Sequence, residues 1–77
     1  MLLNTMKWPV NMSKYIRGGR MGVNMTFSEV PIDTEFEDME TGQFYDKVAE
    51  NQGDYINGNG RTGILCRFWG YETVFVV

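Results

Sequence analysis

The chain has 77 residues, of which 43% are hydrophobic and 14% aromatic, and a formal net charge of −3. This length allows a single domain, and this apolar content excludes a disordered chain. The only cysteine is Cys66 and histidine is absent, which excludes an intrachain disulfide, the usual zinc sites and the standard hydrolase triads. We therefore expect a protein that is not an enzyme and binds no metal or cofactor. A domain this short is also expected to gain stability by forming a homo-oligomer.

Residues 1–24 differ from the rest of the chain in charge and in the pattern of apolar residues. They contain four basic residues and no acidic residue, together with the Gly18-Gly19 pair, and they lack a sustained helical or strand period. We predict a basic N-terminal arm over residues 1–24 and a small β domain over residues 25–77. Trp8 and Tyr15 are predicted interface residues of the arm, because large apolar groups that one small core cannot cover are typical of subunit contacts.

The arm also bears on partners and location. Lys7, Trp8 and Pro9 interrupt the apolar run that a signal peptide needs, and no stretch has the length of a membrane span. We expect a cytoplasmic protein that does not bind membranes. Nucleic acid is not an expected partner, because the basic footprint is small and the acidic body would repel phosphates.

From Met25 onward the pattern predicts short antiparallel strands. Residues 35–37 alternate polar and apolar side chains, Thr41-Gly42 predicts a turn, and residues 43–49 predict the second strand of a hairpin with Phe44 and Val48 facing inward. The apolar runs 64–69 and 73–77 are predicted to be antiparallel neighbours. About five strands are expected, which favours a mainly β fold, namely a small antiparallel, partly open β-barrel with an N-terminal extension.

A short motif lies within this predicted β domain. Phe27-Ser28-Glu29-Val30-Pro31-Ile32 is followed by Phe36 and then by Tyr45-Asp46-Lys47-Val48. This segment resembles a family of very small bacteriophage proteins with the pattern F-x-x-[VL]-P-[VI]-x-x-x-F followed by Y-x-K-V. In that family a glycine commonly follows the Pro-Val pair, where this chain has Asp33. The resemblance implies a small β-barrel-like fold and a viral protein acting in the cytoplasm of an infected bacterial host.

An acidic segment follows the proline. Asp33, Glu35, Glu37, Asp38 and Glu40 bring five carboxylates into eight positions. In a strand, the first three would point to one face, and the EF-hand spacing that calcium needs is absent. We interpret the segment as a solvated face, and its Asp33, Glu35 and Glu37 as candidate interface residues toward a basic site on a host protein.

The segment Asn57–Gly63 supports two interpretations. Its Asn-Gly pairs predict a hairpin turn, whereas its glycine-rich backbone could also cradle an anion. In the second case Arg61 would clamp a phosphate beside Asn59 and Thr62, with Arg17 or Arg20 from the arm as a second clamp. The stacking partner for a base would be Tyr71, Tyr55 or Trp69.

Three functions are compatible with these features. The first is a non-catalytic phage counter-defence protein that sequesters a small anionic, nucleotide-like ligand as a homo-oligomer. The second is an acidic inhibitor that binds and blocks a host protein. The third is a minor virion or assembly component.

Overall fold

The computed structural model describes residues 19–77 and, for residues 14–17, the backbone. In this part of the chain seven strands form one antiparallel sheet with the order β1-β2-β7-β3-β4-β5-β6. The strands are β1 (Lys14–Arg17), β2 (Arg20–Thr26), β3 (Glu35–Asp38), β4 (Phe44–Ala49), β5 (Gln52–Asn57), β6 (Gly60–Arg67) and β7 (Thr73–Val76), and a 3₁₀ turn (Phe27–Glu29) follows β2. The sheet is not closed. The prediction of a mainly β, partly open antiparallel fold is confirmed.

The strand count exceeds the predicted five because of β1 and β2. These strands form a hairpin in which Arg17 pairs with Arg20, and β2 continues through residue 26 with Val23 and Met25 buried. The boundary drawn between residues 24 and 25 therefore lies inside a strand that contributes to the core. Trp8 and the side chains of Tyr15 and Arg17 lie outside the described residues.

The predicted pairing of the last two apolar runs is wrong. Strand β7 lies between β2 and β3, with Val74 opposite Met25 and Asp38, whereas β6 pairs with β5. The physical reason is Phe68, which follows β6 and is 4% exposed. Because this ring is buried, the chain turns away from β6 and does not fold back along it. Strand β7 instead forms its hydrogen bonds with β2 and β3.

The core is built around four aromatic rings. The centroid of the Phe68 ring lies 5.0 Å from the centroids of Phe27, Phe36 and Tyr45. Two of these three contacts are edge-to-face and the third is stacked, and both arrangements suit the quadrupoles of the rings. The other buried residues of this cluster are Val23, Met25, Val30, Val74 and Val76.

A glycine makes this ring cluster possible. A Cβ atom at Gly53 of β5 would lie 2.9 Å from Cε2 of Phe68, 3.0 Å from Cζ of Phe36 and 3.1 Å from Cβ of Tyr45. Real side chains do not approach this closely without displacing a neighbour. The rings therefore pack directly against the backbone of β5.

The inward face of β4 differs from the prediction. Tyr45 and Lys47 are buried, with 6% and 4% of their surfaces exposed, whereas Phe44 and Val48 are only half-buried. The prediction that Phe44 and Val48 face inward is wrong by one residue. The alternation of residues 43–49 favours the apolar Phe44 on the inward face, but in the structure Tyr45 and Lys47 face the core.

Lys47 is held by the 3₁₀ turn. Its Nζ donates a hydrogen bond of 2.8 Å to the carbonyl oxygen of Phe27 and lies 4.3 Å from the centroid of the Phe27 ring. Burial lowers the pKa of Lys47, and the negative charge of Glu50 partly opposes this effect. Burial and contact with Cys66 raise the pKa of the neighbouring Tyr45 to about 12.

Gly53→Ala is expected to lower the free energy of unfolding by about 1–3 kcal/mol, because the added methyl overpacks the ring cluster. Gly58→Ala is the matched control, since nothing lies within 4 Å of a Cβ at that position. Urea unfolding of both variants checks the expectation. Equal stabilities of the two variants would show that the rings do not depend on a bare backbone at β5.

Lys47→Met is expected to change how stability depends on pH. The unfolded chain keeps the lysine proton up to its ordinary pKa of 10.5, whereas the folded chain releases it at lower pH. The free energy of unfolding of the wild type should therefore rise relative to that of Lys47→Met as the pH approaches 10.5. Ionisation of Tyr45 also affects stability at high pH, but this residue is present in both proteins, so its contribution cancels in the difference between their free energies of unfolding. Parallel stability curves from chemical unfolding at a series of pH values would contradict a lowered pKa.

Candidate binding surfaces

Arg61, the predicted anion clamp, is paired with two carboxylates. Its Nε lies 2.7 Å from Oδ2 of Asp46 and its Nη2 lies 3.1 Å from Oδ1 of Asp33. The hydrogen bonds that Arg61 donates to Asp46 and, to a smaller extent, to Asp33 raise the pKa of the guanidinium. An incoming anion would have to compete with both carboxylates for the donors of this side chain.

The two residues predicted beside Arg61 have roles in the hairpin. Asn57 pairs with Gly60, and the N–H of Asn59 donates to Oδ1 of Asn57 at 2.8 Å, which closes a tight turn. The hydroxyl of Thr62 donates to the carbonyl oxygen of Tyr55 at 2.8 Å, next to an irregularity in the pairing of β5 with β6. The prediction of a hairpin turn here is confirmed.

Arg20 lies at a different part of the sheet, in a groove of about 290 Å³. Its guanidinium carbon sits 4.5 Å from the centroid of the Phe44 ring. The same groove is lined by Glu35 and Glu37, so its charge is mixed. This arrangement separates the predicted interface carboxylates, because Asp33 contacts Arg61 while Glu35 and Glu37 lie beside Arg20.

Asp33 has an unusual backbone. Its φ of 69° is the only positive φ of a non-glycine residue in the part of the chain that the structure describes. Aspartate tolerates this left-handed region better than most residues, and glycine adopts it readily. The turn before β3 therefore has the conformation that glycine favours.

A second concave surface lies where the ends of β3 and β7 meet. It has a volume of about 490 Å³, and we name it the Trp69–Tyr71 cleft. Its lining residues are Asp38, Met39, Glu40, Trp69, Tyr71, Glu72 and Thr73. Pairing of Asp38 with Val74 places the turn that follows β3 beside the turn that precedes β7. The cleft therefore combines carboxylates with two large aromatic side chains.

The aromatic side chains of the cleft are held on an ordered turn. The backbone N–H of Trp69 donates to Oε2 of Glu72 at 2.7 Å, and the backbone N–H of Glu72 donates to the carbonyl oxygen of Trp69 at 3.0 Å. The N–H groups of Phe27 and Ser28 donate to the carbonyl oxygens of Glu72 and Gly70 at 2.8 and 2.9 Å. These four bonds tie the turn to itself and to the 3₁₀ turn.

The structure brings together only part of the predicted ligand site. Arg61, Asn59 and Thr62 share the β5–β6 hairpin, whereas Arg20 lies on β2 and Tyr71 lies in the turn before β7. The sequence placed Glu40 in the acidic segment and Trp69 among the alternative stacking partners, but it did not predict that Glu40 shares one cleft with Trp69 and Glu72. Their signal in the sequence was a Trp-x-Tyr-Glu segment, but its proximity to residues 38–40 depends on the pairing of β3 with β7.

Comparison with known proteins finds no matching family model, curated protein or solved structure. Among the described residues, no helix has the length and apolar character needed to cross a membrane. The same residues contain no group of three or more cysteine and acidic side chains that could hold a metal ion.

Asp33→Ala and Asp33→Gly are expected to differ in stability by about 1 kcal/mol, with the glycine variant more stable. Both substitutions remove the same contact with Arg61, so their difference isolates the backbone conformation. Thermal and urea unfolding measure it. Equal stabilities would mean that the turn before β3 does not need a positive φ.

Proposed function

We propose that this chain is a non-catalytic binding protein that attaches to a basic surface of a partner protein through the Trp69–Tyr71 cleft. The observation that carries the proposal is the combination of Asp38, Glu40 and Glu72 with two exposed aromatic side chains in one concave surface. Aromatic residues are enriched at protein interfaces, and complementary charge accelerates and orients association.

The distribution of charge supports a basic partner. Residues 19–77 contain ten acidic residues and only four basic ones. Of these four, Lys47 is buried and Arg61 is paired with two carboxylates. The accessible surface of this part of the chain is therefore dominated by negative charge, which steers a positively charged partner and repels an anionic one.

The resemblance to small phage proteins supports a viral setting for this activity. Asp33 occupies the position where the family pattern commonly has glycine, and its φ of 69° is one that glycine adopts readily. Under this proposal the partner is a protein of the infected bacterium, and occupation of its basic site would inhibit it. The chain would then act in counter-defence as a blocking protein.

A second candidate is sequestration of a small anionic ligand by a homo-oligomer. Its supporting observation is Arg20, which lies over the Phe44 ring in a groove large enough for a small molecule. The two carboxylates in that groove and the two on Arg61 oppose it. Subunit association would have to bring further cations to the groove.

Titration calorimetry separates the two candidates. We expect a nona-lysine peptide to bind the chain, with an affinity that falls steeply between about 50 and about 500 mM salt as the charges are screened. We expect no heat from a panel of cyclic and linear nucleotides. Nucleotide binding without peptide binding would overturn the proposal and favour sequestration of an anion.

A further inference from the structure

We propose that the Trp69–Tyr71 cleft seats an arginine side chain of the basic partner, in preference to a lysine. This inference rests on the proposed function, because it specifies which basic group the cleft recognises. It is carried by three features of the cleft, namely parallel exposed rings, a guanidinium already placed on one of them, and carboxylate oxygens at the rim.

The two rings are parallel and accessible, and we call them together the platform. The planes of Trp69 and Tyr71 differ by 5°, and their centroids are 6.4 Å apart. The two residues are 52% and 76% exposed, so these large aromatic surfaces face solvent. A planar guanidinium can stack on such a surface, whereas an ammonium group offers only a point charge with tightly bound water.

The chain itself shows that this surface accepts a guanidinium. The Cζ atom of Arg67 lies 4.8 Å from the centroid of the Trp69 ring. This distance is within the range at which a cation is attracted by the ring quadrupole. Tyr71 is the more exposed of the two rings and extends the platform for an arginine from the partner.

The carboxylates provide the polar part of the site. Asp38 accepts bonds from the Glu40 N–H at 3.2 Å and the Thr41 hydroxyl at 3.1 Å, and Glu72 accepts the Trp69 N–H. These bonds orient the carboxylates, and each carboxylate offers about four acceptor positions. Glu40 is exposed and lines the same cleft. A guanidinium stacked on the rings could therefore direct its edge N–H groups to carboxylate oxygens.

The same geometry argues against a nucleobase as the occupant. Aromatic platforms do stack bases, but a nucleotide also brings phosphate charge. Asp38, Glu40 and Glu72 would repel that charge, and Arg67 is the only cation placed on the platform among the described residues. A single-stranded oligonucleotide is therefore the competing ligand in the test.

The test uses fluorescence anisotropy with labelled nona-arginine and nona-lysine peptides and a labelled oligothymidylate. We expect the arginine peptide to bind about three- to tenfold more tightly than the lysine peptide of equal charge. Tyr71→Ala should lower the affinity for the arginine peptide about three- to tenfold and leave that for the lysine peptide nearly unchanged. Ile64→Ala, which truncates a side chain that is 59% exposed elsewhere, is the matched control and should change neither.

A charge pair provides a second, independent readout. Glu40→Gln and Glu35→Gln each remove one negative charge, but only Glu40 lines the cleft. Glu40→Gln should weaken binding of the arginine peptide more than Glu35→Gln. Equal affinities for the two peptides, or equal effects of the two glutamine variants, would overturn the arginine site while leaving the proposed function intact. If the wild-type chain bound neither peptide, the proposed function itself would be overturned. Tight binding of oligothymidylate would show that the cleft seats a base and not an arginine.

Discussion

The packing of Phe68 against three other rings, on a backbone that lacks a side chain at Gly53, is the constraint on which the fold depends. Phe68 follows the last residue of β6, and its burial commits the next residues to contact with the 3₁₀ turn. This contact carries the chain across to β7, which then pairs with β2 and β3. One buried ring therefore lies where the chain leaves the edge strand β6 for β7 in the interior of the sheet, and it also places the turn that bears Trp69 and Tyr71.

Lys47 belongs to the same core and shows how a small domain can bury a charge. The Phe27 carbonyl oxygen accepts a bond from Nζ of Lys47 and another from the N–H of Val30 at 3.0 Å, so one oxygen binds both the lysine and the 3₁₀ turn. The Phe27 ring adds a cation–π contact with the same ammonium group. These contacts do not remove the free-energy cost of desolvating the ammonium group, and this cost lowers the pKa of Lys47.

The charges outside the core are divided unevenly in space. Arg61 of the β5–β6 hairpin offsets one of the two negative charges of Asp33 and Asp46. Glu40 and Glu72 instead lie beside exposed rings in the Trp69–Tyr71 cleft. A weak net charge of −3 for the whole chain therefore conceals a strongly acidic and aromatic surface. This local composition is why we propose a basic partner rather than an anionic ligand.

The sequence by itself determined the β class, the strand around Phe36, and the turn between Asn57 and Gly60. These features follow from side-chain alternation and local turn chemistry, which act over a few residues. Only the tertiary structure decided which face of β4 is buried, because a hydrogen-bonded lysine replaced the expected Phe44. It also decided the neighbours of β7, since these depend on where the Phe68 ring can be buried. The Trp69–Tyr71 cleft has the same origin: Glu40 and Trp69 are 29 positions apart, and only the pairing of Asp38 with Val74 brings their turns together.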